Sequence, residues 1–348
     1  MTKAFVRDVL FPVIRRGLLL TSMPITLSES DCEYLIRIGE RQSILPVIWY
    51  GVKDLDLPGD WSEKLKERCL KDIYRFANRD YIIEKTGQLF NDAGITYVLL
   101  KGTVLKDFYP EEWIRTCYDV DILVHKEDVD CAIDLIEKNM DFKVEKYNYH
   151  DVSMFGNQIS LELHFSIKEN MESIDSLLSR VWDYAQPTGE GQLYKLTPEY
   201  QIFHIIAHMS YHMVHGGLGI RPFIDLWLLQ KNTVYDKSIL NEMCKSCGIL
   251  KFYEACCEIL DVWMNAKEHT ETTAMLEQYC LRGGAFGSIQ INEAAKQRKH
   301  QGISYLLRRV FKNNKLLSDE YSGYKEKSNS AFFYQLKRWA GLFNKKKI

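Results

Sequence analysis

The sequence predicts an α+β protein: a small mixed β-sheet core flanked by N-terminal and C-terminal helical regions. Three observations lead there. Short alternating apolar runs of strand length cluster between about residues 95 and 167. The chain on either side repeats its apolar residues at helical spacing. Between the two patterns, a short apolar run, a glycine and a helical start follow one another at Tyr97–Leu105. The chain divides accordingly into a helical region at 1–94, an α/β core at 95–170, a helical domain at 171–300 and a basic helical tail at 301–348.

In the first region Val6, Val9, Leu10, Val13 and Ile14 recur at helical spacing, as do Leu35, Ile36 and Ile38 after the cap-like Ser28-Glu29-Ser30-Asp31. Ile44–Val52 carries another apolar patch. Pro58-Gly59-Asp60 breaks the chain before a helix from about Trp61, and a long helix is expected from Asp72 to Asn91. In the core, Tyr97–Leu100 is long enough for one buried strand and too short for a helix. Asp119–Val124 is a strand, Lys126–Asn139 a helix striped by Val129, Ile133 and Ile136, and Phe142–Lys146, Val152–Phe155 and Ile159–Phe165 alternate like strands. From Ser173 onward the pattern reads helical. Thr197-Pro198-Glu199 opens a strong helix, and Cys244–Trp263 and Thr270–Leu281 extend the bundle.

Composition excludes several classes. With 46% hydrophobic and 26% charged residues the 348-residue chain is globular. No apolar run reaches the roughly 18 residues of a membrane span. Asp8, Arg15 and Arg16 interrupt the apolar start, which argues against a signal peptide. Nine cysteines without paired spacing fit a reducing cytoplasm, and the lone Cys244-x-x-Cys247 reads as buried thiols. From Lys296 to Ile348 there are 14 Lys/Arg and 3 Asp/Glu, a net +11, against −13 in the preceding residues. That acidic body argues against a core built to bind nucleic acid. The basic end is expected to dock as helix on the body.

The chemistry concentrates at Tyr97–Val124. A strand, the Lys101-Gly102-Thr103 turn and a helix start together form a place to hold phosphate, because backbone N–H groups are available there and glycine admits a close ligand. Alternation puts Asp119 and Asp121 on one strand face. Two such carboxylates repel unless a cation lies between them, and magnesium, or manganese, suits oxygen ligands. Glu162 is the single acid of Ile159–Phe165 and joins the pair if the two strands are neighbours. Alone, Asp-x-Asp reads as a solvated strand end. With Gly102-Thr103 before it and Glu162 after it, the set points to two metals and a triphosphate.

These residues resemble the nucleotidyltransferase superfamily of the polymerase-beta type. The longer string, with LLKG, Tyr109-Pro110, Arg115, DVDILV, LELH and HGGLGIRPFIDLWLL, is similar to a bacterial branch labelled "uncharacterised nucleotidyltransferase". Gly102-Thr103 stands where the superfamily has Gly-Gly or Gly-Ser. The resemblance implies transfer of a nucleoside monophosphate from an NTP, such as ATP, to an unidentified small-molecule or protein acceptor, with pyrophosphate released. Asp119, Asp121 and Glu162 would be both the catalytic and the metal-binding residues. Lys101, Gly102, Thr103 and Arg115 would bind the nucleotide. His164, His208, His212, Arg221 and Asp225 are substrate-side candidates. His204, His208, His212 and His215 share a helix face, where substrate contact, a metal and plain packing all stay open. An inactive nucleotide- or partner-binding protein of the same fold is the alternative function.

Overall fold

The computed structural model describes residues 3–19, 24–215 and 217–284. The basic tail lies outside the described residues. The chain divides into two compact units. One holds the chain to Lys168, Leu178–Gln201 and Leu228–Tyr235; the other holds Glu169–Leu177, Ile202–Trp227 and the described chain from Asp236.

The first unit carries a seven-stranded mixed sheet. Its strands are β1 (Tyr97–Leu99), β2 (Asp119–Val124), β3 (Phe142–Tyr147), β4 (Asp151–Gly156), β5 (Ile159–His164), β6 (Ala185–Pro187) and β7 (Leu193–Leu196). Their order is β3-β4-β5-β2-β1-β7-β6. The pairs β2/β5 and β1/β7 are parallel and the others antiparallel. Strand alternation sorts the two faces. Val120, Ile122 and Val124 of β2, Val152 and Met154 of β4, and Ile159, Leu161 and Leu163 of β5 join one buried cluster. Ile82 and Phe90 from helix Trp61–Ala93, and Val129, Ala132, Ile133 and Ile136 from helix Val129–Asn139, complete it. The opposite face receives Asp119 and Asp121, Ser160, Glu162 and His164, and Asp151 and Ser153.

The N-terminal helices Phe11–Leu19, Glu29–Gln42 and Leu45–Val52 precede this sheet. Ser28 caps the second of them in a reciprocal box with Asp31, as the sequence cluster suggested. Trp49 packs on Trp113, with ring centroids 5.4 Å apart, so the helical region braces the segment leading to β2. The helix expected from about Trp61 and the long helix expected at Asp72–Asn91 are one: Trp61–Ala93 runs continuously for 33 residues. Gly94 ends it in the left-handed conformation at φ 70, which glycine adopts without steric cost.

A second correction concerns the stretch after Ser173. It holds a helix at Glu172–Leu178 but then β6 and β7, which extend the sheet. These strands have three and four residues, and β6 ends in Pro187. Proline is tolerated there because β6 is an edge strand with no further partner. Runs that short carry no readable periodicity.

The second unit is helical. Its helices Lys237–Ser246, Leu250–Asn265 and Glu271–Arg282 start at Asp236, Ile249 and Thr270. The side chains of Asp236 and Thr270 cap the first turns. Cys244, Cys247, Cys256 and Cys280 are buried in the unit. Burial pushes the Cys244 thiol up to about 12, in keeping with a packing role. Among the described residues no helix is long and apolar enough to cross a membrane.

Candidate functional site

The register of β2 against β5 builds the site. Asp121 pairs with Glu162 and Leu123 with His164, so both β5 side chains emerge on the face that bears Asp119 and Asp121. One ligating atom each from Asp121, Glu162 and His164 lies within 4.8 Å of the other two. His164 Nε2 stands 2.9 Å from Asp121 Oδ1 and 3.4 Å from Glu162 Oε2. Asp121 is 2% exposed. It is no solvated strand end.

The turn after β1 supplies the other wall. Lys101 Nζ donates to Asp121 Oδ1 at 2.8 Å. Its backbone stands at φ 43, ψ −123, a conformation L side chains rarely adopt and one that costs on the order of 1–3 kcal/mol. Such strain is retained where the surrounding structure imposes it, and here it swings the lysine stem over β2. Gly102 follows because nothing larger fits: an added Cβ would lie 2.1 Å from Arg115 Nη1 and 2.3 Å from Cys117 Sγ. Thr103 is buried, and its Oγ1 accepts the backbone N–H of Asp121 at 3.1 Å. The amides of Thr103, Val104 and Leu105 are taken by Leu100 O and Lys101 O. The turn therefore offers fewer open amides than its sequence suggested. Lys106 ties it to Asp80 of the long helix at 3.0 Å. Arg115 is buried against Gly102.

The electrostatics are those of an acid cluster short of positive charge. Burial and the neighbouring Asp121 charge raise the Asp119 carboxyl above the usual range, although Cys117 and Lys101 pull the other way. Cys117, absent from the sequence reading, donates its thiol to Asp119 Oδ1 at 3.1 Å. For Asp121, burial works in the same raising direction, but Lys101 and the His164 hydrogen bond outweigh it and hold the carboxyl well below the usual range. Burial and Lys101 depress His164, yet its bonds to Asp121 and Glu162 win and raise it. Three carboxylates facing one lysine leave two negative charges unbalanced when His164 is neutral. That donor set fits a divalent cation.

The remaining candidates belong to the other unit. On helix Pro198–His215, His208 Nδ1 lies 2.6 Å from Glu169 Oε1, and His208 Nε2 lies 3.0 Å from His212 Nε2. His215 Nδ1 bonds the carbonyl of Tyr211 at 2.9 Å, and His204 is buried. Glu169, which the sequence reading passed over, is what orients His208. Arg221 and Asp225 are both buried rather than a helix-surface pair. Sequence reading also missed His150 and Asp151, at the head of β4. Asp151 pairs with His164 across the sheet, a neighbour that only the register reveals.

No curated protein sequence matches the chain. Among solved structures it is similar to the antibiotic-resistance factor ANT(2'')-Ia, at 9% identity and a TM-score of 0.37, over 55% of this chain and 99% of that one. It is also similar to the Megavirus polyadenylate synthase, at 13% identity and a TM-score of 0.30, over 62% of this chain and 41% of that one. A family profile described as "uncharacterised nucleotidyltransferase" matches residues 28–265, the span that contains the sheet, the acid cluster and the histidine helix. The chain belongs to the uncharacterised nucleotidyltransferase family.

Proposed function

We propose that the chain transfers a nucleoside monophosphate from an NTP to a small-molecule or protein acceptor. The acceptor oxygen bonds to the α-phosphorus, the bond to the β-phosphate bridge breaks, and pyrophosphate leaves. The observation that carries the reading is the β2/β5 register, which sets Glu162 beside Asp121 on the face of Asp119. Those three residues would hold Mg2+ or Mn2+, which when bound lowers the pKa of the acceptor hydroxyl and offsets charge growing on the phosphoryl oxygens. Lys101, poised on Asp121 by its strained backbone, would exchange that carboxylate for the β- and γ-phosphate oxygens. Gly102 lets Arg115 pack close against the turn, and that guanidinium adds a positive charge on the phosphate side. Thr103 serves by fixing the backbone of Asp121.

On the acceptor side, His164 would hold or release a proton at Nε2 between Asp121 and Glu162. His208, oriented by Glu169, and His212, Arg221 and Asp225 would serve as substrate contacts of the helical unit. The nine free cysteines support a reducing compartment such as the cytoplasm.

One observation favours the inactive alternative: Lys101 Nζ occupies Asp121 Oδ1, an oxygen that the cation would take. Labelled ATP, CTP, GTP and UTP incubated with the chain, Mg2+ and a cell extract decide the matter. Pyrophosphate release and a labelled acceptor, both lost in Asp121→Asn, are expected. Metal-dependent NTP binding with no pyrophosphate from any of the four would establish the binding-only reading.

A further inference from the structure

A second cluster lies behind His164, outside the carboxylates that the proposed transfer uses. The tight turn before β4 places His150 next to Asp151, and the β4/β5 register places Asp151 opposite His164. One ligating atom each from His150, Asp151 and His164 lies within 4.8 Å of the other two. The imidazoles of His150 and His164 lie nearly parallel, with centroids 5.7 Å apart.

Three features show that this cluster is held in place. Asp151 divides its oxygens: Oδ1 receives Asn148 Nδ2 at 2.7 Å and Ser153 Oγ at 3.2 Å, while Oδ2 faces His150 Nε2 at 2.8 Å. The carbonyl of His150 is fixed by the amides of Phe165 and Ser166 at 3.0 and 3.1 Å. His164 Nε2 is oriented by Asp121, which leaves Nδ1 on the side away from the carboxylates. That Nδ1 is buried without a hydrogen-bond partner in a residue 2% exposed, and His150 Nδ1 is likewise buried without one. In neutral His164, Nε2–H as the donor to Asp121 leaves Nδ1 a bare lone pair in the interior, which costs free energy unless something takes it.

We propose that His150, Asp151 and His164 bind a zinc-class divalent transition metal. Two imidazoles and one carboxylate match the ligand preference of such ions, whereas Mg2+ favours the all-oxygen neighbours Asp119 and Glu162. The two sites share His164, so this ion would lock the tautomer that His164 presents to Asp121. Asn148, bonded to Asp151, is its supporting residue.

The test uses the full chain, stripped with EDTA and titrated with Co2+ in excess Mg2+, with ligand-field absorption as the readout. Wild type is expected to bind one equivalent with bands of nitrogen and oxygen ligation. His150→Ala is expected to lose that binding. Asn148→Ala should weaken it about tenfold, as removal of an outer-shell partner does. Asp119→Asn, outside the cluster, should leave the titration unchanged. Half-buried His150 can be altered with the fold intact, and circular dichroism of the stripped variant checks this; Asn148→Ala carries the test if it unfolds. Absence of Co2+ binding under Mg2+, equal binding by His150→Ala, or loss of binding in Asp119→Asn would each overturn the assignment. Mg2+-dependent pyrophosphate release is measured separately, so failure of the transfer reading leaves this test standing.

Discussion

Thr103 Oγ1 accepts the backbone N–H of Asp121 across 3.1 Å. The first helical residue after Gly102 therefore sets the height of the acid that centres the site. Thr103→Val keeps the volume but leaves a buried N–H without its acceptor. We expect a loss of about 1–3 kcal/mol in urea unfolding, the desolvation cost of an orphaned donor, and weaker turnover. Thr103→Ser should restore most of both. Equal stability of the valine variant would show that Asp121 does not depend on this bond.

Gly102→Ala would place its Cβ against Arg115 and Cys117. Buried Arg115 has to swing to admit it, and Cys117, short and bonded to Asp119, has to move as well. Overpacking of this kind costs about 1–3 kcal/mol. The expected outcome is that destabilisation together with a raised KM for NTP. A normal KM would place the nucleotide elsewhere.

Asp121→Asn removes the carboxylate that balances Lys101 and His164. Breaking a buried pair by deleting one partner costs about 3–5 kcal/mol, and Lys101, 22% exposed, brings this site to the lower end. The sign follows from the pKa shifts. Asp121's folded value is lowered, so its contribution is present above the unfolded carboxylate range and lost only as pH falls through the folded value. His164's folded value is raised, so its contribution is full below about 6.5 and lost as pH rises through the folded value. The gap between wild type and variant should thus be widest between the unfolded carboxylate range and about pH 6.5 and narrow on either side, and chemical unfolding across pH reads the window.

Asp119→Asn has the opposite expected sign. The folded pKa of Asp119 is raised, so the neutral acid is the form that the fold tolerates, and stability is lost as pH rises through that value. Asparagine removes the charge. Without metal the variant should melt above wild type at neutral pH, match it in acid, and show no metal-dependent pyrophosphate release. A lower melting temperature at neutral pH would mean that a cation already balances Asp119.

Much of the site was legible because β-strand alternation is local. Asp119-x-Asp121 declares a shared face without any knowledge of neighbours, and Gly102 in a strand-to-helix junction declares a close approach. The N-terminal helices and Val129–Asn139 were readable for the same reason, since their apolar spacing lies within one element. The continuity of the helix from Trp61 with that expected at Asp72–Asn91, and the two short strands within the helical stretch after Ser173, were missed where tertiary packing overrode a weak local signal. β6 and β7 exist because β1 offers them an edge, not because their few residues favour extension.

What the sequence by itself determined is which residues could share a face: the acids of β2, the Glu162/His164 pair of β5 and the histidine ladder of Pro198–His215. Only the tertiary structure decided which faces meet. The parallel register that sets Glu162 beside Asp121, the strained turn that lays Lys101 on the same carboxylate, and the hairpin that brings His150 and Asp151 behind His164 all join residues far apart in the chain. Periodicity is a property of neighbours along the chain, whereas register is chosen by burying one sheet face as a whole.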